Sequence, residues 1–96
     1  MMGIKSDKCK FRLGKLVSTP GFQAVSNHAD IVNALRRHLQ GDWGDCCRED
    51  KNANNRALRL GDERIFSVYH TTSGEKFWLI TEADRSYTTF LLPSEY

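Results

Sequence analysis

Three ionisable residues near the end of the chain form the first candidate for chemistry: Glu82, Asp84 and Arg85. Two carboxyl groups beside a guanidinium can carry out acid–base or metal chemistry. The same residues are also typical of a loop in which Asp84 accepts backbone N–H bonds and Arg85 pairs with Glu82. Because no neighbour supplies a nucleophile or a second base, we expect a structural loop, and we predict that the protein is not an enzyme.

Acidic residues around Trp43 form a second candidate. Carboxylates that can gather around a divalent cation are Asp42, Asp45, Glu49 and Asp50. Their spacing lacks the further oxygen ligands and the terminal glutamate of an EF-hand loop. A tryptophan in such a tight turn more often anchors the turn in the core, with its indole N–H bonded to a carbonyl oxygen. We therefore predict a structural turn and no metal site.

Cysteines and histidines form a third candidate, with three residues of each type. They are Cys9, Cys46, Cys47, His28, His38 and His70. No Cys-x-x-Cys or His-x-x-x-His spacing is present, so we predict no zinc site and no cofactor. Neighbouring cysteines rarely bridge each other, because the small ring strains the peptide bond between them. Three reduced thiols indicate a cytoplasmic protein.

Basic and aromatic side chains leave nucleic-acid binding open as an alternative function. The candidate basic residues are Lys10, Arg12, Lys15, Arg36 and Arg37. Aromatic side chains on strands can stack bases, although they more often pack in a core. The net charge is only +2, from 14 basic and 12 acidic residues, which gives little non-specific attraction to nucleic acid.

Length and patterning indicate a single domain at residues 10–96 after a flexible tail at 1–9. No apolar run approaches the roughly 18–20 residues that span a bilayer, so we expect no membrane partner. A first strand is predicted at 11–17, with Thr19-Pro20-Gly21 as a turn after it. A helix should begin at Ser26 or Asn27 and stop at Gly41.

A second helix is predicted at roughly 46–60, with Asp45 as its N-cap. Its apolar stripe is narrow, so residues such as Asn54 should be largely exposed. Three strands should follow at 64–71, 75–81 and 87–92, joined by short turns that favour antiparallel pairing. The predicted order is β-α-α-β-β-β, an α+β domain with one antiparallel four-stranded sheet and two helices on one face.

Two thin helices cannot cover both faces of so apolar a sheet. We expect part of the other face, or an edge strand, to be exposed and to bind a protein partner or a second copy of the chain. The residues assigned to this surface are Tyr69, Trp78, Tyr87 and Arg85.

Three stretches together resemble a known family: GDWGD at 41–45, GEKFWLITEADRS at 74–86 and TTFLLPSEY at 88–96. The family consists of small uncharacterised bacterial proteins of plasmids and integrative elements, called plasmid-related proteins. The resemblance covers roughly residues 10–96 and includes KFRLGKLVSTPG at 10–21. Cys46 and Cys47 depart from the more acidic residues expected there. The resemblance implies a cytoplasmic accessory protein of mobile DNA and assigns no catalytic residue.

Overall fold

The structure is a computed structural model that describes residues 9–96. The flexible tail expected at 1–9 therefore falls, apart from Cys9, outside the described residues. The strands are β1 (Lys15–Ser18), β2 (Ile65–His70), β3 (Lys76–Thr81) and β4 (Tyr87–Leu91). The helices are α1 (Pro20–Val25), α2 (His28–Leu39) and α3 (Arg48–Leu60), and a short 3-10 turn follows at Pro93–Glu95.

The α+β class and the four-stranded sheet are confirmed, but the sheet is mixed rather than antiparallel. Its order is β1-β4-β3-β2, and β1 runs parallel to β4, with Lys15 opposite Tyr87 and Ser18 opposite Phe90. The expectation of purely antiparallel pairing was wrong because it rested on short turns. Those turns join β2, β3 and β4, whereas three helices follow β1 and no hairpin fixes its direction.

The predicted element order also lacked a helix, since α1 was interpreted as a turn. Thr19 caps α1 by accepting the N–H of Phe22, and Pro20 occupies the first turn, where its missing N–H has no effect. The Phe22 side chain is buried, with its ring centroid 4.8 Å from that of Phe77 and 4.9 Å from that of Phe90. This contact anchors α1 on the sheet.

The first strand is shorter than predicted, because β1 begins only after Gly14. Gly14 has a φ of 65°, and a Cβ at this position would lie 2.3 Å from the Ser86 carbonyl oxygen. The chain therefore bends at Gly14 where it meets the loop before β4, and residues 11–13 are not part of the sheet.

The helix predicted from Ser26 or Asn27 is α2, and a capping box fixes its start. The Asn27 side chain accepts the Asp30 N–H, while the Asp30 carboxylate accepts the Asn27 N–H. The second predicted helix is α3, but its N-cap is Cys47 rather than Asp45. Asp45 instead lies 3.1 Å from the His70 ring nitrogen.

Two of the three helices cover one face of the sheet, which we call the helix face. Its side chains are Ile65, Ser67, Tyr69, Phe77, Leu79, Thr81, Thr88 and Phe90, and all of them are buried. Phe22 of α1 and Ala34 of α2 pack in the cluster that Tyr69, Phe77 and Phe90 form here. The third helix, α3, lies beside β2 and packs through Ala57 in a second cluster that contains Trp43 and Ile65.

A chain of polar groups runs beneath the helix face. The His38 ring of α2 is bonded to Ser67 at 2.6 Å and to Thr81 at 2.9 Å. Thr81 is bonded to Thr88, and Thr88 donates to the Leu13 carbonyl oxygen. Burial, helped by the charge of Arg85, lowers the pKa of His38 to about 3, so this histidine is neutral. The network links β2, β3, β4 and the segment before β1.

Candidate functional site

The outer backbone of β2 is occupied by side-chain and loop groups. Asn54 of α3 accepts the Phe66 N–H at 3.0 Å and donates to the Phe66 carbonyl at 2.6 Å. The Val68 N–H donates to the Trp43 carbonyl, and the Val68 carbonyl accepts the Asp45 N–H. We call this side of the sheet the clamped edge. The expectation that Asn54 is exposed was wrong, because its amide replaces a neighbouring strand.

The turn at 41–45 can reach β2 only because it contains Gly44. A Cβ there would lie 1.9 Å from the Val68 carbonyl oxygen, and φ is 71°. Two hydrogen bonds hold the turn in place: the Trp43 indole donates to the Asn55 side chain, and the Tyr69 hydroxyl donates to the Asp42 carbonyl. Trp43 is buried, so the turn is anchored in the core as predicted, although its partner is a side-chain amide.

The opposite side of the sheet is open. Lys15 N–H donates to the Ser86 carbonyl and Thr19 N–H to the Phe90 carbonyl, so alternate residues of this strand direct their backbone groups toward β4. The backbone groups of Leu16 and Ser18 consequently point away from the sheet. The Gln23 side chain donates to the Ser18 carbonyl, whereas within residues 9–96 no group bonds the outward N–H and C=O of Leu16. We call this side the open edge.

Exposed apolar side chains are concentrated beside the open edge. Leu16 is 48% exposed, Val17 41% and Tyr87 42%. In the described residues the other exposed large apolar side chains are Leu60 and Tyr96. Val17 and Tyr87 lie on the face away from α1 and α2, which we call the far face. With Lys15 and Ser86 they line a shallow depression of about 360 Å³.

Elsewhere the far face is largely covered by its own aromatic residues. The Trp78 ring makes edge contacts with Phe66 at 5.1 Å and with Tyr96 at 5.5 Å. The Tyr96 hydroxyl accepts a hydrogen bond from Arg64. Ile80 and Leu91 of this face are buried, and Val68 is buried in the cluster that contains Trp43 and Cys46. Among the strand residues of this face, the exposed large apolar side chains are therefore Val17 and Tyr87 at the end formed by β1 and β4, while the exposed Tyr96 lies against Trp78.

Sequence analysis assigned four residues to a partner surface, and the structure does not bring them together. Tyr87 lies beside the open edge, and Trp78 is half-buried in the middle of the far face. Tyr69 is on the helix face and only 3% exposed. Burial raises its pKa well above the usual range of a tyrosine.

The fourth residue, Arg85, holds the loop before β4 together. Its guanidinium donates to the carbonyl oxygens of Glu63, Glu82 and Ala83, and it does not pair with the Glu82 carboxylate. Asp84 accepts the Ser86 N–H, as predicted for a structural loop, and the bonds from Ser86 lower the pKa of this exposed carboxyl. Arg85 therefore connects this loop with the chain at the end of α3.

Carboxylates of the 41–45 turn each face a basic side chain. Asp42 accepts two bonds from Arg37, at 2.8 and 3.2 Å, and this contact lowers the pKa of Asp42 and raises that of Arg37. Asp45 faces His70.

Among residues 9–96 no group of three metal-binding side chains comes together. Burial raises the pKa of the Cys46 thiol to about 11, and Cys47 is exposed.

The five candidate residues for nucleic-acid binding are all exposed but do not form one strip. Arg36 and Arg37 line the same cleft beside α2. Lys10 is near them, since its N–H donates to the Leu39 carbonyl at the end of that helix. Lys15 lies on β1, at the opposite edge of the sheet from β2. Arg12 lies in the chain between Lys10 and Lys15.

No protein-family model matches this chain, and neither a curated protein nor a solved structure is significantly similar to it. The resemblance to plasmid-related proteins stays a prediction. None of the helices in the described part of the chain is long and apolar enough to cross a membrane.

Sequence reasoning missed Leu16 and Val17 as surface residues. In a continuous strand at 11–17 the side chains of Phe11, Leu13 and Val17 would share one face, but the bend at Gly14 separates Val17 from the other two. The available signal was Gly14 itself, since a glycine inside a strand pattern often marks a bend or a close backbone approach.

Proposed function

We propose that this protein is a non-catalytic interaction module that associates through the open edge, with a second copy of the chain as its partner. The observation that supports this proposal is the contrast between the two sides of the sheet. One side has its backbone groups bonded by Asn54 and by the 41–45 turn, while the other presents Leu16, beside which the described residues place no strand. An unpaired strand edge is a template for another strand.

A second copy suits the open edge because antiparallel pairing of β1 with itself is self-complementary. If Leu16 lies opposite Leu16 of the second copy, each residue both donates and accepts across a two-fold axis. Lys15 then lies opposite Val17, so no like charges meet, and the lysine stem can pack between Val17 of one copy and Tyr87 of the other. Gly14 lies opposite Ser18, and both side chains are small.

The clamped edge limits the assembly to two copies. Head-to-tail pairing of β1 with β2 of another copy would continue without end and form fibres. Asn54 and the 41–45 turn already occupy the β2 backbone, so this pairing is blocked. Pairing of β1 with β1 uses both open edges and leaves a continuous eight-stranded sheet whose two outer edges are clamped.

Sedimentation of the full chain from micromolar to millimolar concentration tests the proposal. We expect a monomer–dimer equilibrium in the wild type. Leu16→Pro removes the outward N–H without removing a bond to β4, so this variant should remain monomeric and folded. Leu60→Ser is the matched control, because Leu60 is 60% exposed but lies at the end of α3. It should dimerise like the wild type.

A wild-type chain that stays monomeric over the whole range would overturn the proposal. So would a Leu16→Pro variant that dimerises as strongly as the wild type, because the dimer would then use another surface.

The resemblance to plasmid-related proteins supports assigning this module to bacterial mobile elements and to the cytoplasm. In that setting the protein is an accessory factor whose dimer presents two copies of each surface.

A further inference from the structure

A cleft remote from the open edge lies between α2 and the end of β2. Its volume is about 310 Å³, at the lower end of the range for small-molecule sites. The floor consists of Ala34, Tyr69 and Phe77, which belong to the core cluster of the helix face and leave only 1–3% of each residue exposed. The walls carry Arg36, Arg37 and His70.

The 41–45 turn positions two of these basic side chains. Asp42 holds the Arg37 guanidinium through two oxygens, and the same guanidinium lies 4.6 Å above the centre of the Tyr69 ring. Asp45 holds His70 through one ring nitrogen at 3.1 Å. Each contact fixes a side chain that would otherwise be mobile, while the guanidinium keeps further N–H groups for another acceptor.

Arg36 supplies positive charge that is not neutralised. Within residues 9–96 the ion pairs of acidic side chains involve Arg37, Arg56 and His70. In the same described part of the chain, the Arg36 guanidinium donates to the neutral Asn33 side chain at 3.2 Å and forms no ion pair. Among the described residues that line the cleft, the only carboxylate is Asp30, which is buried, and its two oxygens accept the Asn27 and Thr72 N–H groups.

We infer that this cleft binds a small organic anion, with its oxyanion on Arg36 and Arg37 and its apolar body on the floor of Ala34, Tyr69 and Phe77. Arginine suits this role because its planar fork of N–H groups matches carboxylate and phosphate oxygens. Both kinds of anionic group fit this chemistry. The inference does not depend on dimerisation, since the cleft and the open edge share no residue.

NMR titration of the full, ¹⁵N-labelled chain with defined probes tests the inference. Phenyl phosphate and benzoate represent the two anionic groups, inorganic phosphate lacks the apolar body, and benzamide lacks the charge. We expect saturable shifts of the amides of Ala34, Arg36, Tyr69 and Thr72 with phenyl phosphate or benzoate. The more tightly bound of these two identifies the anionic group.

Arg36→Gln should weaken binding about tenfold, the effect of losing one hydrogen bond to a charged group. The change leaves Asp42 and its partner intact. Arg59→Gln is the matched control, because Arg59 is exposed on α3 and does not line the cleft. This variant should bind like the wild type.

Three results would overturn the inference. The first is the absence of saturable shifts in the cleft. The second is binding that Arg36→Gln leaves unchanged. The third is equal binding of benzamide or of inorganic phosphate, since the charge or the apolar floor would then contribute nothing.

Discussion

The two edge strands of this sheet are treated in opposite ways. At β2 the chain uses a buried asparagine and a glycine-containing turn to bond backbone groups that a fifth strand would otherwise bond. At β1 no group of residues 9–96 bonds the outward backbone groups of Leu16, and Val17 and Tyr87 are exposed beside it. Because proteins commonly protect strand edges, this contrast supports our proposal that the protein associates through β1.

A substitution that blocks the close contact between the 41–45 turn and β2 should cause the largest loss of stability. Gly44→Ala adds a Cβ that overlaps the Val68 carbonyl oxygen and must also adopt a positive φ. We expect a loss of about 4 kcal/mol in the free energy of unfolding, measured by urea denaturation, from steric overlap and backbone strain.

Gly61→Ala is the control for backbone strain alone. Gly61 has nearly the same φ, 73°, but no atom lies within 4 Å of the added Cβ. Its loss should be about 1 kcal/mol. Equal losses in the two variants would contradict the close contact between the turn and β2.

Proline substitutions distinguish the two backbone directions of β1. Val17 alternates with Lys15 and Thr19, whose N–H groups donate to β4, so the Val17 N–H also points toward β4. Val17→Pro therefore removes a hydrogen bond of the sheet and should destabilise the fold by about 3 kcal/mol. Leu16→Pro should destabilise it by less than about 1 kcal/mol, because its N–H points outward. Thermal unfolding of dilute protein gives both values. A larger loss of stability for Leu16→Pro than for Val17→Pro would show that the Leu16 N–H, and not the Val17 N–H, bonds to β4.

Removal of the asparagine clamp should have a slightly smaller effect. Asn54→Ala leaves the Phe66 N–H and carbonyl without their amide partner, and we expect a loss of about 2–3 kcal/mol in urea denaturation. Asn52→Ala on the same helix is the control, because Asn52 is exposed and should change stability by less than about 0.5 kcal/mol. A loss for Asn54→Ala no larger than for Asn52→Ala would show that the clamp contributes nothing.

Acid should weaken the polar network that runs from β2 toward β1. The unfolded chain takes up a proton at His38 near pH 6.5, whereas the folded chain resists it down to about pH 3. Stability from this group is therefore complete above pH 6.5 and is lost as pH falls toward 3, by about 1.4 kcal/mol per unit. His38→Gln keeps a donor and an acceptor but cannot titrate, so its stability should fall less steeply. Identical slopes in urea denaturation would contradict a buried neutral histidine.

Local signals in the sequence were enough to predict α2 and the three strands that follow α3. Asn27 and Asp30 form a capping box within four residues, and β2, β3 and β4 alternate or run apolar between short turns. Each of these signals involves residues only a few positions apart, so it can be recognised without knowing how distant parts of the chain pack.

The features that sequence analysis did not predict depend on contacts between residues far apart in the chain. The parallel pairing of β1 depends on how α1 and α2 pack, and the burial of Asn54 depends on an edge strand reached only in the fold. Sequence analysis expected an exposed edge or face, and among the residues beside the open edge it assigned Tyr87 to a partner surface and Lys15 to nucleic-acid binding. Tyr69 and Arg85 are aromatic and charged like surface anchors, yet their partners lie in the core and in a loop.

Amide hydrogen exchange at low and high protein concentration distinguishes the two edges of the sheet. The Phe66 and Val68 amides should be protected at every concentration, because both are bonded within the chain. The Leu16 amide should exchange rapidly in dilute protein and become protected only at high concentration, when β1 of a second copy accepts its hydrogen bond. A Leu16 amide that exchanges equally fast at all concentrations, or β2 amides that exchange as fast as Leu16, would contradict the account.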